Sequence, residues 1–273
     1  MDFTLEAYQN LLNTLQTNGY CFQSFVQFIS FFDSHPYSLN KSIIILRHDV
    51  DRNPNNSLIT SKIENKLGIK ASYYFRIPKT FRSDIINQIA ELGHEIGYHY
   101  ENMDTCHGDI DKAWDDFRYK LEKLRKIFPV KTICMHGSPL SHYDNRDLWK
   151  KYDYRTEGII GEPYLDVDWE EVFYLTDTGR CWNGKDISIR DKVELKKKMS
   201  VCQENRQIKT HIWPVYHSTK DIITAINDGT FPKKAMITTH PQRWTNNPVV
   251  WTKELVYQNI KNLVKYFFVQ SKS

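Results

Sequence analysis

The 273-residue chain lacks any apolar run approaching the roughly 18 residues a membrane span needs, and no membrane span is expected. It has no CxxC spacing among its five cysteines (21, 106, 134, 181 and 202), an odd set that fits reduced thiols better than a disulfide framework. Internal repeats, low-complexity tracts and a Pro/Gly/Ser-rich linker are absent, which argues against a multi-domain array and for one unit over 1–273. The first twenty residues have an early acid and an amphipathic pattern, without the basic start and apolar centre of a signal peptide; a cytoplasmic protein is the expectation. Lys and Arg are spread along the chain except in "ELKKKM" near 194–199, which reads as a solvated helix face. The net charge of +4 therefore makes no nucleic-acid patch.

What is present is an ordinary globular balance, 40% apolar and 26% charged, with 14% aromatic residues that suit a large core or a sugar-stacking cleft. Leu5, Tyr8, Leu11, Leu12 and Leu15 recur at helical spacing, and residues 22–31 continue as a second amphipathic helix. From the aliphatic run at 43–46 onward, strands and helices alternate. The pattern predicts a helix over 57–67, a strand in "KASYYFRI", a helix from Ser83 to Gly93 and a strand in "HEIGYHY". A long helix over 110–127, a strand in "KTICMHG" and a short helix in "NRDLWKKY" follow. The second half adds strands in "VFYLTD", "IKTHIWPV" and "AMITTHP", with helices near 219–227 and 252–267. Alternation of this kind predicts an α/β fold: a distorted or incomplete (β/α)7 barrel of parallel strands over 41–270, preceded by an N-terminal helical extension over 1–40.

The first chemical signal is "IIILRHDVD", residues 43–51. On a strand Asp49 and Asp51 share a face while Val50 points the other way, so two carboxylates meet at a strand end, where active sites of such barrels lie. A divalent cation on one of them relieves the repulsion and leaves the other free as a base. Helix capping does not require them, because "NPNNS" follows with Asn and Ser. In "GHEIGYHYENMD", His94 and His99 are an odd offset apart and about 16 Å apart along a strand, so one ion cannot hold both. His99, at the C-terminal end, belongs to the rim of Asp51; His94 is structural. His136 and His240 also end strands, and four strands each delivering Asp or His at one end is a pattern a lone His does not make.

The order "HDVD", "GHEIGYH" and a late "TTHP" resembles the NodB-type polysaccharide deacetylases, in particular a divergent branch with an Asp-x-Asp first motif, over residues 43–245. The resemblance implies Asp49 as general base, Asp51 as metal-binding carboxylate, His99 as a histidine ligand and His240 as the histidine that protonates the leaving amine. It also implies a divalent ion, zinc first and cobalt or nickel after it, and an N-acetylated carbohydrate as substrate. The family's second histidine ligand falls at Met103, a thioether unsuited to zinc, which leaves the third ligand open among His136, Glu101, Asp104 and His107, with His136 first.

The family's third-motif Arg is missing from "MHGSPLS". Arg47 or Arg180 stands as the substitute that orients the base, or each balances a buried carboxylate. Gly137 and Ser138 are expected at the oxyanion, and Trp244 on the substrate. Other readings are a hydrolase of a cyclic amide and a catalytically silent carbohydrate-binding homologue. "THIWPVYHS", with His211 and His217 around Pro214, reads as a cleft wall, and "DVDW" at 166–169 as a loop that contacts substrate.

Overall fold

The computed structural model describes residues 1–34, 41–138, 141–182 and 213–270, with side chains to 30 in the first stretch and to 263 in the last. Seven parallel strands form the sheet. They are β1 (Cys21–Gln23), β2 (Ile43–Val50), β3 (Ser72–Phe75), β4 (Glu95–Tyr100), β5 (Ile133–Met135), β6 (Phe173–Thr176) and β7 (Lys234–Thr239). The order is β5-β4-β3-β2-β7-β6, with β1 paired to the lower half of β2 beneath β3. Curling of this sheet gives an incomplete α/β barrel whose open side lies between β5 and β6. The segment at 159–162 fills part of that gap: Ile133 donates to the carbonyl of Gly161, and the Met135 N–H to the Glu162 carboxylate at 2.9 Å.

Helices cover the outer face, as crossovers between parallel strands require. They are α1 (Leu5–Thr17), α2 (Phe25–Ser34), α3 (Pro54–Lys66), α4 (Ser83–Glu91), the single turn α5 (Asn102–Thr105), α6 (Ile110–Arg125), the short α7 (Pro163–Asp166), α8 (Thr219–Asn227) and α9 (Pro248–Gln270). Each amphipathic helix buries the stripe its spacing predicts: Tyr8, Leu11, Leu12 and Leu15 on α1, and Ile85, Ile86 and Ile89 on α4. Among the described residues no helix is long and apolar enough to cross a membrane, and Cys21, Cys106, Cys134 and Cys181 are free thiols.

The fold departs from the sequence expectation at the start of the second helix. "CFQ" is strand β1, and the helix begins only at Phe25. The nominal extension over 1–40 therefore supplies one of the seven strands. It also supplies a plug: the first N–H groups of α2 are satisfied from inside the barrel, Phe25 N donating to Ser72 Oγ at 2.7 Å and Val26 N to Glu95 Oε2 at 2.9 Å. The Phe25 ring then lies against Gly161, where a Cβ would come within 3.0 Å of it.

Helix α3 starts at Pro54 rather than 57, with Asn53 in the left-handed region (φ 49°) as a cap whose side chain accepts from no backbone N–H of the helix and donates instead to Asn56 Oδ1 at 2.9 Å. "NRDLWK" forms a 3-10 helix, Asn145–Lys150. Trp213–Tyr216 form no strand; the rest of "IKTHIWPV", His211 and the "ELKKKM" run lie outside the described residues.

Between the sheet and helices α1 and α3 lies a buried polar cluster. Glu64 on α3 accepts from Tyr8 Oη at 2.5 Å and from Tyr73 Oη at 2.9 Å, and stands 2.8 Å from His48 Nε2. His48 Nδ1 bonds Thr239 Oγ1 at 2.8 Å, a side-chain rung from β2 to β7. His94, at the far end of β4, is held by Ala71 N and the Ser61 carbonyl, a structural role.

Candidate metal and acid–base site

One positional rule builds the site. The first residue beyond the C-terminal end of β2, β3, β4, β5, β6 and β7 is Asp51, Arg76, Glu101, His136, Asp177 and His240 respectively. Parallel strands end together on one rim, so six short sequence segments deliver charged or ligating side chains to one place. Asp49 and His99 point into the barrel from one layer below, on β2 and β4.

Three imidazoles converge on Asp51. His99 Nε2 is 3.4 Å and His136 Nε2 3.6 Å from Asp51 Oδ1, and His240 Nε2 is 3.6 Å from Oδ2. Asp51 Oδ1 is buried and accepts no hydrogen bond. Behind the His99 and His240 rings a hydrogen-bonding group fixes the orientation, and behind His136 a carboxylate stands close without a hydrogen bond. His99 Nδ1 bonds the Cys134 carbonyl at 2.9 Å, His136 Nδ1 lies 3.4 Å from Glu101 Oε2, and His240 Nδ1 donates to Asp177 Oδ1 at 2.6 Å. Ring nitrogens held from behind by an acceptor turn the other nitrogen toward the shared point, the arrangement of metal-ligating histidines. Atoms bound 2.0–2.1 Å from a tetrahedral ion stand roughly 3.3–3.4 Å apart, and both edges through Asp51 Oδ1 are near that value. The His99 and His136 rings are perpendicular, with centroids 5.2 Å apart.

Asp49, His99 and Cys134 form a second grouping, with donor atoms all within 4.8 Å of one another. It shares His99 with the first and lies deeper. Both Asp49 oxygens are occupied by one guanidinium, Arg47 Nε to Oδ1 at 2.8 Å and Nη2 to Oδ2 at 2.6 Å, and the Cys134 thiol lies 3.6 Å from the Met135 carbonyl. A cation there would sit against a buried Arg, whereas Asp51 offers an oxygen with nothing bound to it. Residues Asp51, His99 and His136, joined by the two edges through Asp51 Oδ1, are a second set that could hold a divalent ion.

Electrostatics follow from this packing. Burial pushes the Asp51 carboxyl upward, but the facing imidazoles of His136, His240 and His99 outweigh it and hold the group well below its usual range. Asp49 is likewise desolvated, and Arg47 with His99 brings it below normal. His136 is lowered to about 4, burial outweighing the opposing pull of Asp51. Burial also opposes protonation of His99, yet Asp49 and Asp51 win and raise it. Asp177 is desolvated too, but Arg243 and His240 keep it low, and it accepts further from Trp244 Nε1 at 2.8 Å.

The other expected residues fall in different places. Arg47 is fully buried, with its guanidinium on Asp49 and Tyr164, so of the two arginines weighed for holding that carboxylate it is the one that reaches it, and it offers no surface to a substrate. Arg180 does not reach Asp49: Nη1 donates to the Trp251 carbonyl at 2.7 Å and the guanidinium lies 4.2 Å over the Trp251 ring, fastening α9. Trp244 is 1% exposed and packs against Phe3 and Tyr8, so it anchors Asp177 and offers no face to a sugar. Met103 is buried in the apolar core. Gly137 and Ser138 are half-buried, directly after His136.

Asp104 pairs with Ser141 and Asn145, and Asn145 Nδ2 donates to the His136 carbonyl at 2.9 Å, so Asp104 supports the loop. Asp166 of "DVDW" is occupied by Tyr154, Arg155 and the Glu162 N–H, which removes it from substrate contact. Arg76, which pairs with Glu101, and Asp177 were not singled out from sequence, although the residue after each strand is where such groups belong; Arg243 reaches Asp177 from the turn after His240.

No family model and no curated protein matches the chain. Among solved structures, a similar one is the Streptococcus pyogenes deacetylase PplD in complex with acetate, at TM-score 0.43 and 14% identity. The alignment covers 53% of this chain and 66% of the deacetylase, just under two thirds of its length. The chemical reading of the rim rests on its side chains and not on that partial likeness.

Proposed function

We propose that this chain is a single catalytic unit, a metal-dependent hydrolase that removes an N-acetyl group from a sugar or a sugar-containing intermediate. The observation that carries the reading is the convergence of His99 and His136 Nε2 on the unpartnered Asp51 oxygen, with a paired carboxylate and an Asp-supported histidine on either side. Asp51, His99 and His136 would hold the ion. When bound, such an ion polarises an acyl carbonyl and brings the pKa of a water to roughly 7.

The rest is done by the chain. Asp49 stays ionised beside Arg47, and a carboxylate has lone pairs left after two hydrogen bonds, so it takes the proton of the attacking water. Arg47 fixes its orientation, the service the missing third-motif Arg would perform. A backbone N–H at Gly137 or Ser138 faces the developing oxyanion. His240, its Nδ1 bonded to Asp177, delivers the proton from Nε2 to the departing nitrogen. This assignment agrees with the resemblance of "HDVD", "GHEIGYH" and "TTHP" to NodB-type deacetylases, with His136 in place of the ligand lost at Met103. Zinc suits one carboxylate and two imidazoles, as do cobalt and nickel.

The test is acetate release from N-acetylhexosamine compounds by protein loaded with Zn²⁺, Co²⁺ or Ni²⁺. Stoichiometric metal with acetate formation supports the reading. Protein that retains no ion after dialysis is a silent homologue, and ring opening of a cyclic ureide without acetate moves the chemistry to a different amide.

A further inference from the structure

We propose that the outward face of α9 pairs antiparallel with the same helix of a second copy of this chain, as a two-stranded coiled coil. Helix α9 is fastened to the body along one side. Arg180 donates to the Trp251 carbonyl, Arg52 Nη2 to Glu254 at 2.6 Å, and Asn262 Nδ2 to the Gly179 carbonyl at 2.8 Å, while Gln258 is buried. The opposite side of a surface helix is ordinarily polar. Here it carries Val249, Val256, Ile260 and Leu263, exposed by 61, 52, 58 and 58%.

The occupant is argued from spacing and charge. Positions 249, 253, 256, 260 and 263 alternate in steps of four and three, the heptad seam of a coiled coil. At 100° per residue the five positions span an arc of roughly 80°, and the exposed Val250 and Tyr257 extend the apolar face on one side, at the positions that flank a coiled-coil seam. Lys253 sits within the seam. A charge there opposes burial in a bilayer, whereas one Lys at a coiled-coil core position is tolerated and specifies register.

The flanking positions are Val250 and Tyr257 on one side and Thr252 and Asn259 on the other, all uncharged, so two identical helices meet without like-charge opposition. An antiparallel pair centred between Val256 and Ile260 sets each Val256 against Ile260 of the second copy and each Lys253 against Leu263. It keeps the two Lys253 about 15 Å apart along the axis, where a parallel pair would press them together.

The experiment is sedimentation equilibrium of the full chain over a hundredfold concentration range, with circular dichroism as a folding check. The expected mass is twice 32.4 kDa. Val256→Glu and Ile260→Lys should each weaken association at least tenfold, and the double variant should restore it, because antiparallel pairing alone sets the introduced acid of one copy against the introduced base of the other. A monomer throughout the range overturns the proposal, as does unchanged association in the single variants or a monomeric double variant. A monomer that co-floats with phosphatidylglycerol vesicles overturns it in favour of a lipid surface.

Discussion

His99 presents Nε2 to Asp51 Oδ1 at 3.4 Å while its Nδ1 is bonded at 2.9 Å to the Cys134 carbonyl. The backbone of β5 thereby fixes which ring nitrogen faces the carboxylate. Two acceptors face each other there unless a proton or a cation stands between them, so under the proposed function a proton and the metal ion would compete for this pair.

Metal uptake should therefore compete with protons. His99 is raised above its usual value by Asp49 and Asp51 against the opposing effect of burial, so below that raised value a proton occupies Nε2 and must leave when the ion enters. Affinity should fall as pH drops through this range, by about tenfold per unit for one displaced proton. Isothermal titration in buffers of different ionisation enthalpy reads the proton release directly. Asp51→Asn and His99→Gln should lower the bound metal measured by atomic emission, by about 10-fold to 100-fold in affinity or more.

Asp49→Asn should leave metal content intact and cost about 10² to 10⁴ in acetate release, the range for loss of a proton-transfer group. Unchanged turnover in that variant would remove Asp49 from its role.

Arg47 and Asp49 form a buried bidentate pair. Arg47→Met leaves an uncompensated carboxylate inside the barrel and should destabilise the fold by about 3–5 kcal/mol. The double variant Arg47→Met/Asp49→Leu removes both charges and should recover most of that loss in denaturant melts, which distinguishes charge burial from simple loss of packing.

Asp177 holds His240 from behind, together with Arg243 and Trp244. Asp177→Asn frees the ring orientation and should lower kcat by about 10² or more with little change in bound metal, since neither residue is among the three proposed ligands. Equal losses of metal and kcat would place the residue in structural support alone.

Glu162 reports on the open side of the barrel, where its segment fills part of the gap between β5 and β6. Burial pushes its carboxyl up to about 7, against the pull of the Met135 N–H and Arg47. The native state thus binds this proton more tightly than the unfolded chain. The resulting stability is present below the unfolded value near 4.5 and is lost as pH rises through 7, a difference of about 3 kcal/mol. Glu162→Gln should flatten the stability profile across that window in urea titrations at successive pH values.

Much of the rim was legible because it is written at strand ends. Asp49 and Asp51 follow an aliphatic run, and His99, His136 and His240 each close a short apolar segment, so period-two reading and chain direction place them together. What sequence concealed lies in contacts between distant segments. Asp177 meets His240 across 63 residues, and nothing local in "TDTGRCW" shows that its carboxylate turns inward. The choice between Arg47 and Arg180 depended on whether the chain after Gly179 turned toward Asp49; it turned toward α9. Strand β1 escaped notice because three residues, "CFQ", carry too little alternation to outweigh the helical spacing that follows.

Trimming this protein to a minimal barrel at residue 41 would be a mistake visible in advance. Such a cut strips the lower edge of β2 of its hydrogen-bonding neighbour. It also takes from Ser72 and from Glu95, an acid whose carboxyl burial pushes upward, the N–H groups of residues 25 and 26 that satisfy them. The shortened chain would expose the floor of its barrel and invite strand-to-strand aggregation there.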